Sequence, residues 1–324
     1  MKKLTEGRKM YVSVMVIFVI YALFFIAFED YDRNFLQPFQ ENSDWHLLIF
    51  SLVVMAGLSI LLHRYSHRMD ERISREQAEK ENQMRRELTQ NIAHELKTPV
   101  ASILGYTDTI IDNPDLDSKT REQFIIRARV QALRLTALLQ DISTLNRMDY
   151  AADMLTIEEV NVTQIVDEII QETAIAADEK QMTTQKDLPD EILIEGNHSL
   201  LYSIFRNLMD NAINYAGTGS HVEVLATEDN DRWRFVFQDN GQGIDTSHLT
   251  RIFERFYRID KGRSRSLGGT GLGLAIVKNA VQIHGGSIKA INVDTGGLRF
   301  EFDLKKKMSS AHINTRVQPK QQGI

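Results

Sequence analysis

His94 is the residue best suited to act as a nucleophile. It stands inside NIAHELKTPV, with Glu95 beside it, Thr98 one helical turn further on and Pro99 next. A neutral imidazole attacks through one ring nitrogen when an adjacent carboxylate holds the proton of the other, and Glu95 has that chemistry. The plain alternatives are a histidine without a task and a solvated glutamate. A second set lies downstream. Asn207 and Asn211 are one helical turn apart, with Tyr215 a further turn on, so they share a face. Amides so spaced are either exposed polar positions or paired neutral oxygens of the kind a magnesium ion uses while bridging phosphates and keeping several waters. Asp239 follows the run DRWRFVFQ and opens DNGQGI. An aspartate at a strand end accepts from an exocyclic amine, and Gly241 and Gly243 let a flat base approach the backbone, although Asp-Asn-Gly is also ordinary turn chemistry. GGTGLGLAIVK then leads into a helix, where glycine-rich backbone offers free amides to phosphate. Its spacing lacks the lysine of a P-loop, and no run fits G-x-G-x-x-G, which excludes a dinucleotide-binding turn.

These residues need particular elements to hold them. Leu88, Ile92, Leu96, Pro99, Ile103, Tyr106 and Ile110 recur at intervals of three or four, predicting a helix with one buried face. His94 lies roughly 200° around that helix from Ile92 and Leu96, so it points to solvent, and Pro99 is expected to loosen the helix there. Residues 113–118, containing Asn-Pro, turn the chain. A second helix follows with Phe124, Ala128, Ala132, Leu135, Leu138, Ile142 and Leu145 facing one way. Two such helices bury little alone, and pairing of two hairpins into a four-helix bundle solves that. After Asp149 the pattern turns mixed: LTIEEVNV, MTTQKDL and EILIEG are strand-like, while residues 163–180 and SLLYSIFRNLMDNAINYA are helical. That alternation predicts an α/β layered domain.

The chain has 324 residues, 25% charged and 43% hydrophobic, with no cysteine and a net charge of −6. The length suits roughly two domains with connecting pieces. Lack of cysteine excludes a disulfide scaffold, a thiolate zinc site and cysteine catalysis, and the acidic balance argues against direct nucleic-acid binding. Residues 10–28 and 45–62 are apolar runs without Asp, Glu, Lys or Arg, each long enough to span a bilayer. A signal peptide is the weaker reading of the first. Lys2, Lys3, Arg8 and Lys9 before the first run, and Arg64 and Arg68 after the second, place both termini in the cytoplasm. The loop at 29–44 is too short for a folded sensor domain, so a signal is expected through the membrane, a membrane partner protein or that loop. Residues 63–89 alternate in charge without proline or glycine. Tyr65, Met69, Ile73, Met84 and Leu88 form a broken heptad stripe, read as a weak parallel coiled coil with a solvated single helix as the alternative.

The decapeptide around His94 resembles the phosphoacceptor box of sensor histidine kinases, of form H-E-x-K-T-P. The asparagine helix, DNGQGI, IFERFYR and GGTGLGLAIVK, in that order, resemble the ATP-binding domain shared by histidine kinases and the related chaperone and topoisomerase ATPases. The resemblance implies a membrane-bound bacterial two-component sensor kinase: a two-helix membrane anchor (1–62), a coiled-coil linker (63–86), a helical-hairpin dimerisation and phosphotransfer domain (87–150), an α/β sandwich ATP-binding domain (151–306) and a disordered tail (307–324). It implies ATP and Mg²⁺ as cofactors, a homodimer, a separate response regulator as partner, and the bacterial inner membrane as location. His94 is then the phosphorylated residue, Glu95 the base, and Thr98 a group that places water for dephosphorylating the regulator. Asn211 ligates Mg²⁺ with Asn207 assisting, Tyr215 stacks near adenine, Asp239 accepts from its amino group, and Gly241 and Gly243 shape that pocket. Arg258 reaches the terminal phosphate. Phe253 and Phe256 anchor a lid over 244–270, and Gly269, Thr270, Gly271 and Gly273 cradle phosphate. Two positions depart from the pattern: Asn214 stands where a basic residue is common, with Lys261, Arg263 or Arg265 as possible substitutes, and Asn197 where a Gly-Asp pair is common. A chaperone-like ATPase and a non-catalytic nucleotide-binding scaffold are the rival readings.

Overall fold

The computed structural model describes residues 44–150, 155–259 and 269–307, together with Val19; for 44–51, 80, 81, 84, 85 and 150 it describes the backbone only. The apolar run at 10–28 apart from Val19, most of the loop at 29–44, the four basic residues before that run, the lid residues Lys261, Arg263 and Arg265, and the tail beyond 307 lie outside the described residues. Residues up to Glu87 make one unit and residues from Leu88 onward a second.

Helix α1 (Asp44–Asp112) begins in the first unit. There it carries pairs one turn apart, His67 with Glu71 at 3.2 Å and Gln83 with Glu87 at 2.9 Å, the spacing at which helical neighbours meet. Leu52, Val53, Val54, Leu58, Ile60, Leu61, Tyr65 and Met69 are exposed. Among the described residues, no helix is long and apolar enough to cross a membrane.

In the second unit α1 continues to Asp112, and α2 (Ser118–Tyr150) returns after a short turn. Asp117 opens α2 by accepting from the Thr120 amide at 2.9 Å, the capping interaction that satisfies a free helical donor. The expected loosening at Pro99 is not seen: the helix runs through it. Pro99 withholds the amide that would serve the Glu95 carbonyl, but it packs in the interior, and that burial keeps the helix on course. The inward face of α2 holds Phe124, Ala128, Leu135, Leu138, Ile142 and Leu145 as expected, with Tyr106 stacked on Phe124 at 5.8 Å; Ala132 is exposed instead.

The rest is an α/β sandwich. Its elements are β1 (Glu158–Asn161), α3 (Val162–Glu179), β2 (Thr183–Asp187), β3 (Leu193–Gly196), α4 (His198–Tyr215), β4 (His221–Asp229), β5 (Arg232–Asp239), 3₁₀ turns Thr246–His248 and Arg251–Phe253, α5 (Gly273–Ile283), β6 (Ile288–Asn292) and β7 (Leu298–Lys305). β1 and β3 pair antiparallel. The main sheet has the order β2-β4-β5-β7-β6, parallel only between β2 and β4. Antiparallel register sets Phe235 opposite Phe302 and Phe237 opposite Phe300, and the first pair meets Phe205 of α4 in the core, with centroids 5.4 Å from Phe235 and 5.7 Å from Phe302. Leu201, Ile204, Phe205, Leu208 and Ala212 form the buried stripe of α4. That stripe fixes the rotation of the helix and brings Asn207 and Asn211 up along another side. Leu138, Leu145 and Met148 of α2 join the same core.

Asn197 is a structural residue: its side chain caps α4 by accepting from the Leu200 amide at 3.1 Å and donates to the Thr156 carbonyl at 3.0 Å. Its own amide donates to His284 Nε2 at 3.1 Å, while His284 Nδ1–H donates to the Ala280 carbonyl at 2.7 Å. The buried ring is therefore neutral, and burial holds its pKa below the ordinary 6.5. Since the unfolded chain takes up the proton first, this stabilisation is complete above about pH 6.5 and drains as pH falls, by at most about 1.4 kcal/mol per pH unit. The thermal unfolding midpoint is expected to drop between pH 7.5 and pH 5.5 by less in His284→Gln than in the parent. Equal slopes would remove His284 as the cause.

Candidate functional site

Asp239 ends β5, where alternation turns its carboxyl group inward and buries it. Oδ1 accepts from the Gly241 amide at 2.9 Å and the Leu298 amide at 3.3 Å, leaving Oδ2 without a partner among the described residues. Burial pushes the Asp239 carboxyl up from its ordinary value, the two amides opposing it. The backbone around it tolerates no side chains: a Cβ on Gly241 would lie 2.7 Å from the Ala216 carbonyl, and one on Gly297, at φ +106°, 1.8 Å from the Asp239 carbonyl. Gly243, at φ +68°, leaves room for Asn292, which accepts from the Ile244 amide at 3.0 Å and donates back to its carbonyl at 2.6 Å. An open oxygen flanked by close-packed backbone is suited to an exocyclic amine on a flat base.

The asparagines face the start of α5. Asn207 donates from Nδ2 to the Ser203 carbonyl at 2.8 Å, so its Oδ1 turns the other way, and a Cβ on Gly273 would sit 2.5 Å from that oxygen. The side chain of Asn211, half-buried one turn on, has no partner among the described residues. Two amide oxygens are too few to enclose a hard cation, but they suit Mg²⁺ carried in with phosphates and waters. No side chain caps α5 at Leu272, so its first amides remain for an anion. Tyr215 is half-exposed at the end of α4; burial raises its pKa and the charge of Arg258 opposes that.

Phe253 is buried edge-on to Phe300, with centroids 6.2 Å apart. Phe256 takes the left-handed backbone region at φ +62° and donates its amide to the Gly271 carbonyl at 2.8 Å. These contacts anchor the two ends flanking residues 260–268. Arg258 bonds the Gly269 carbonyl. Thr270 Oγ1 accepts from the Leu272 amide at 3.2 Å and donates to Asp141 of α2 at 2.7 Å.

His94 is 68% exposed, as its place on the helix requires, and opens into a cleft of about 440 Å³ that Asn91, Glu95, Arg251, Arg255 and Arg258 also line. Glu95 lies with Oε1 3.9 Å from His94 Nδ1, an ion-pair distance rather than a hydrogen bond. Its other oxygen, Oε2, faces Arg134 and Arg258, each at 3.5 Å. Thr98 donates its hydroxyl to the His94 carbonyl at 3.3 Å, so its oxygen keeps lone pairs for a water. The nucleophile and the arginine flanking the glycine run thus share one cleft.

Two family models match the chain: the His Kinase A (phospho-acceptor) domain over residues 84–151, and the histidine kinase-, DNA gyrase B- and HSP90-like ATPase over residues 196–308. The sensor protein kinase WalK of Staphylococcus aureus is 31% identical over 290 residues, covering 86% of this chain and 68% of that one. The chain belongs to the sensor histidine kinases. The sensor-like histidine kinase SenX3 of Mycobacterium tuberculosis is 33% identical over 232 residues, 72% of this chain, and the match spans only 56% of SenX3. In fold, the chain resembles the Acinetobacter baumannii histidine kinase AdeS with a TM-score of 0.53 at 22% identity, covering 66% of this chain and 98% of that one. It also resembles histidine kinase ThkA, solved in complex with response regulator protein TrrA, with a TM-score of 0.54 at 19% identity, covering 68% and 61%.

Within this family's architecture, three residues absent from the sequence reading join the site: Arg134, Asp141 and Asp149. Asp149 Oδ1 and Oδ2 both accept from Arg255, at 2.9 and 2.8 Å. Burial raises the Asp141 carboxyl, the Thr270 hydroxyl lowers it and the charge of Asp210 adds to the rise. Arg134 and Asp141 lie four residues before and three after Leu138, on its own stripe, so a charge within an apolar stripe was the available signal.

Proposed function

We propose that the chain is an ATP-dependent protein-histidine kinase that phosphorylates His94 and passes the phosphoryl group to an aspartate of a separate response regulator. The observation that carries this reading is the opening of exposed His94 into the cleft lined by Arg258, which adjoins the glycine-rich start of α5. Nucleotide binds with its amine at Asp239 and its phosphates at Asn207, Asn211 and the first amides of α5. Bound Mg²⁺ would be held by the Asn211 and Asn207 oxygens and would neutralise phosphate charge. His94 Nε2 attacks the terminal phosphorus, the N–P bond forms as the bond to the bridging oxygen breaks, ADP leaves, and the Nδ1 proton passes to Glu95. Arg258 exchanges Glu95 for the terminal phosphate. Incubation with γ-labelled ATP tests this: an acid-labile, base-stable label is expected, whereas phosphate release without labelling would indicate an ATPase and binding alone a scaffold.

The exposed apolar side chains of the hairpin, among them Leu104, Ile111, Ile125, Val130 and Leu133, support a homodimer built as a four-helix bundle. The runs 10–28 and 45–62 and their basic flanks support a two-pass anchor with both ends of the chain on the cytoplasmic side of a bacterial inner membrane. The side chains exposed between Leu52 and Leu61 then face lipid or a neighbouring helix. A sensory partner in the membrane fits the short loop between the spans.

Thr98 serves the opposing reaction, in which a water attacks the regulator's aspartyl phosphate and releases inorganic phosphate. In Thr98→Ala the lone pairs that would orient a water are lost while His94 and Glu95 remain. Autophosphorylation is expected to persist and regulator dephosphorylation to fall by about tenfold or more. Parallel loss of both rates would instead mark Thr98 as a helix-supporting residue.

A further inference from the structure

We propose that Arg134 is a positioning residue for phosphoryl transfer: from the second helix of the hairpin its guanidinium holds the Glu95 carboxylate in the orientation that serves the His94 imidazole. The inference rests on the kinase reading above and deepens it. Neighbouring residues on a helix do not face one another, so adjacency alone does not aim Glu95 at His94. The two carboxylate oxygens divide the work. Oε2 faces Arg134 at 3.5 Å and Arg258 at 3.5 Å, and Oε1 is thereby presented to His94 Nδ1 at 3.9 Å. A long acidic side chain in solvent samples several rotamers, and fixing it in advance removes that cost from the transfer step.

The two arginines differ in permanence. Arg258 comes from the nucleotide-binding side, also bonds the Gly269 carbonyl, and is the group that turns to the terminal phosphate when ATP arrives. Arg134 belongs to the hairpin itself and stays beside Glu95 throughout. Its side chain is only 12% exposed and that of Glu95 16%, so each charge has surrendered most of its hydration and depends on the other to offset it. Its place on the stripe of Leu138 and Leu145 directs it inward across the hairpin. A planar guanidinium fixes the direction of a carboxylate, which a lysine ammonium, a point charge on a flexible stem, does less well.

The test measures autophosphorylation by γ-labelled ATP in the full chain carrying Arg134→Gln, Arg134→Lys, Glu95→Gln or Arg134→Gln with Glu95→Gln. For Arg134→Gln, kcat is expected to fall roughly tenfold to a hundredfold with KM for ATP unchanged, since a misplacement of about 1 Å costs on the order of 10²-fold. Arg134→Lys recovers part of the rate. In the double variant the second substitution adds little, because the two groups act as one unit. An unchanged kcat, a raised KM with kcat retained, or losses that multiply in the double variant overturns the proposal. Should Arg134→Gln fail to fold by circular dichroism, Arg134→Lys decides alone, a lowered kcat at constant KM supporting the proposal and an unchanged kcat overturning it. A parent chain that takes no acid-labile label overturns the kinase reading itself, before any substitution is made.

Discussion

His94→Gln is expected to reduce labelling from γ-labelled ATP to background while nucleotide affinity stays within a few-fold of the parent. His94 stands on α1, whereas the groups proposed to receive nucleotide stand on α4, β5 and the start of α5, and among the described residues the imidazole makes no hydrogen bond to any of them. Glutamine keeps the polarity of the position and is at least as favourable in a helix, and at 68% side-chain exposure its cost in stability stays within about 0.5 kcal/mol. What it removes is the nitrogen that attacks. The two measurements, equilibrium binding of ATP and incorporation of label, therefore separate. A label retained on another histidine would show that the cleft serves a different acceptor.

The parts of this site that could be read from sequence are those governed by local periodicity. The apolar stripe of α4 dictates which side of the helix carries Asn207 and Asn211, and alternation through Trp233, Phe235 and Phe237 places Asp239 on the inner face at the end of its strand. The motifs in the sequence leave β4, β6 and β7 unmarked. In β7 the alternation of Phe300, Phe302 and Leu304, all buried, was a sufficient signal; β6 offered little, being an edge strand of partly exposed residues. Contacts made across the fold are of another kind. Thr270 meets Asp141 across 129 positions of chain, and Arg255 meets Asp149 across 106. No local pattern encodes such a partner. Glu95 shows the same limit in reverse: adjacency points to His94 as its main contact, while α2 and the 244–270 segment supply the two arginines that hold its other oxygen.

Asn211→Asp is expected to weaken Mg-ATP binding by at least about a hundredfold. The new carboxylate would stand next in sequence to Asp210, a half-buried carboxylate paired with Arg206, whose pKa burial raises and Arg206 opposes. A unit charge about 5 Å from a phosphate oxygen, at an effective dielectric of about 20, is repelled by roughly 3 kcal/mol, enough for that loss. His94 in the variant remains a competent acceptor, which permits a test of how the cleft is assembled. Within one chain Glu95 lies 3.5 Å from Arg258, Asp141 2.7 Å from Thr270 and Asp149 2.8 Å from Arg255, so hairpin and nucleotide site of the same chain are already in register. Transfer within one chain is the expectation these contacts support. Heterodimers of Asn211→Asp with His94→Gln are then expected to remain unlabelled, since one chain lacks nucleotide and the other lacks the acceptor. Label on the Asn211→Asp chain, in heterodimers whose formation is confirmed by differential tags, would show instead that each nucleotide site reaches the hairpin of its neighbour.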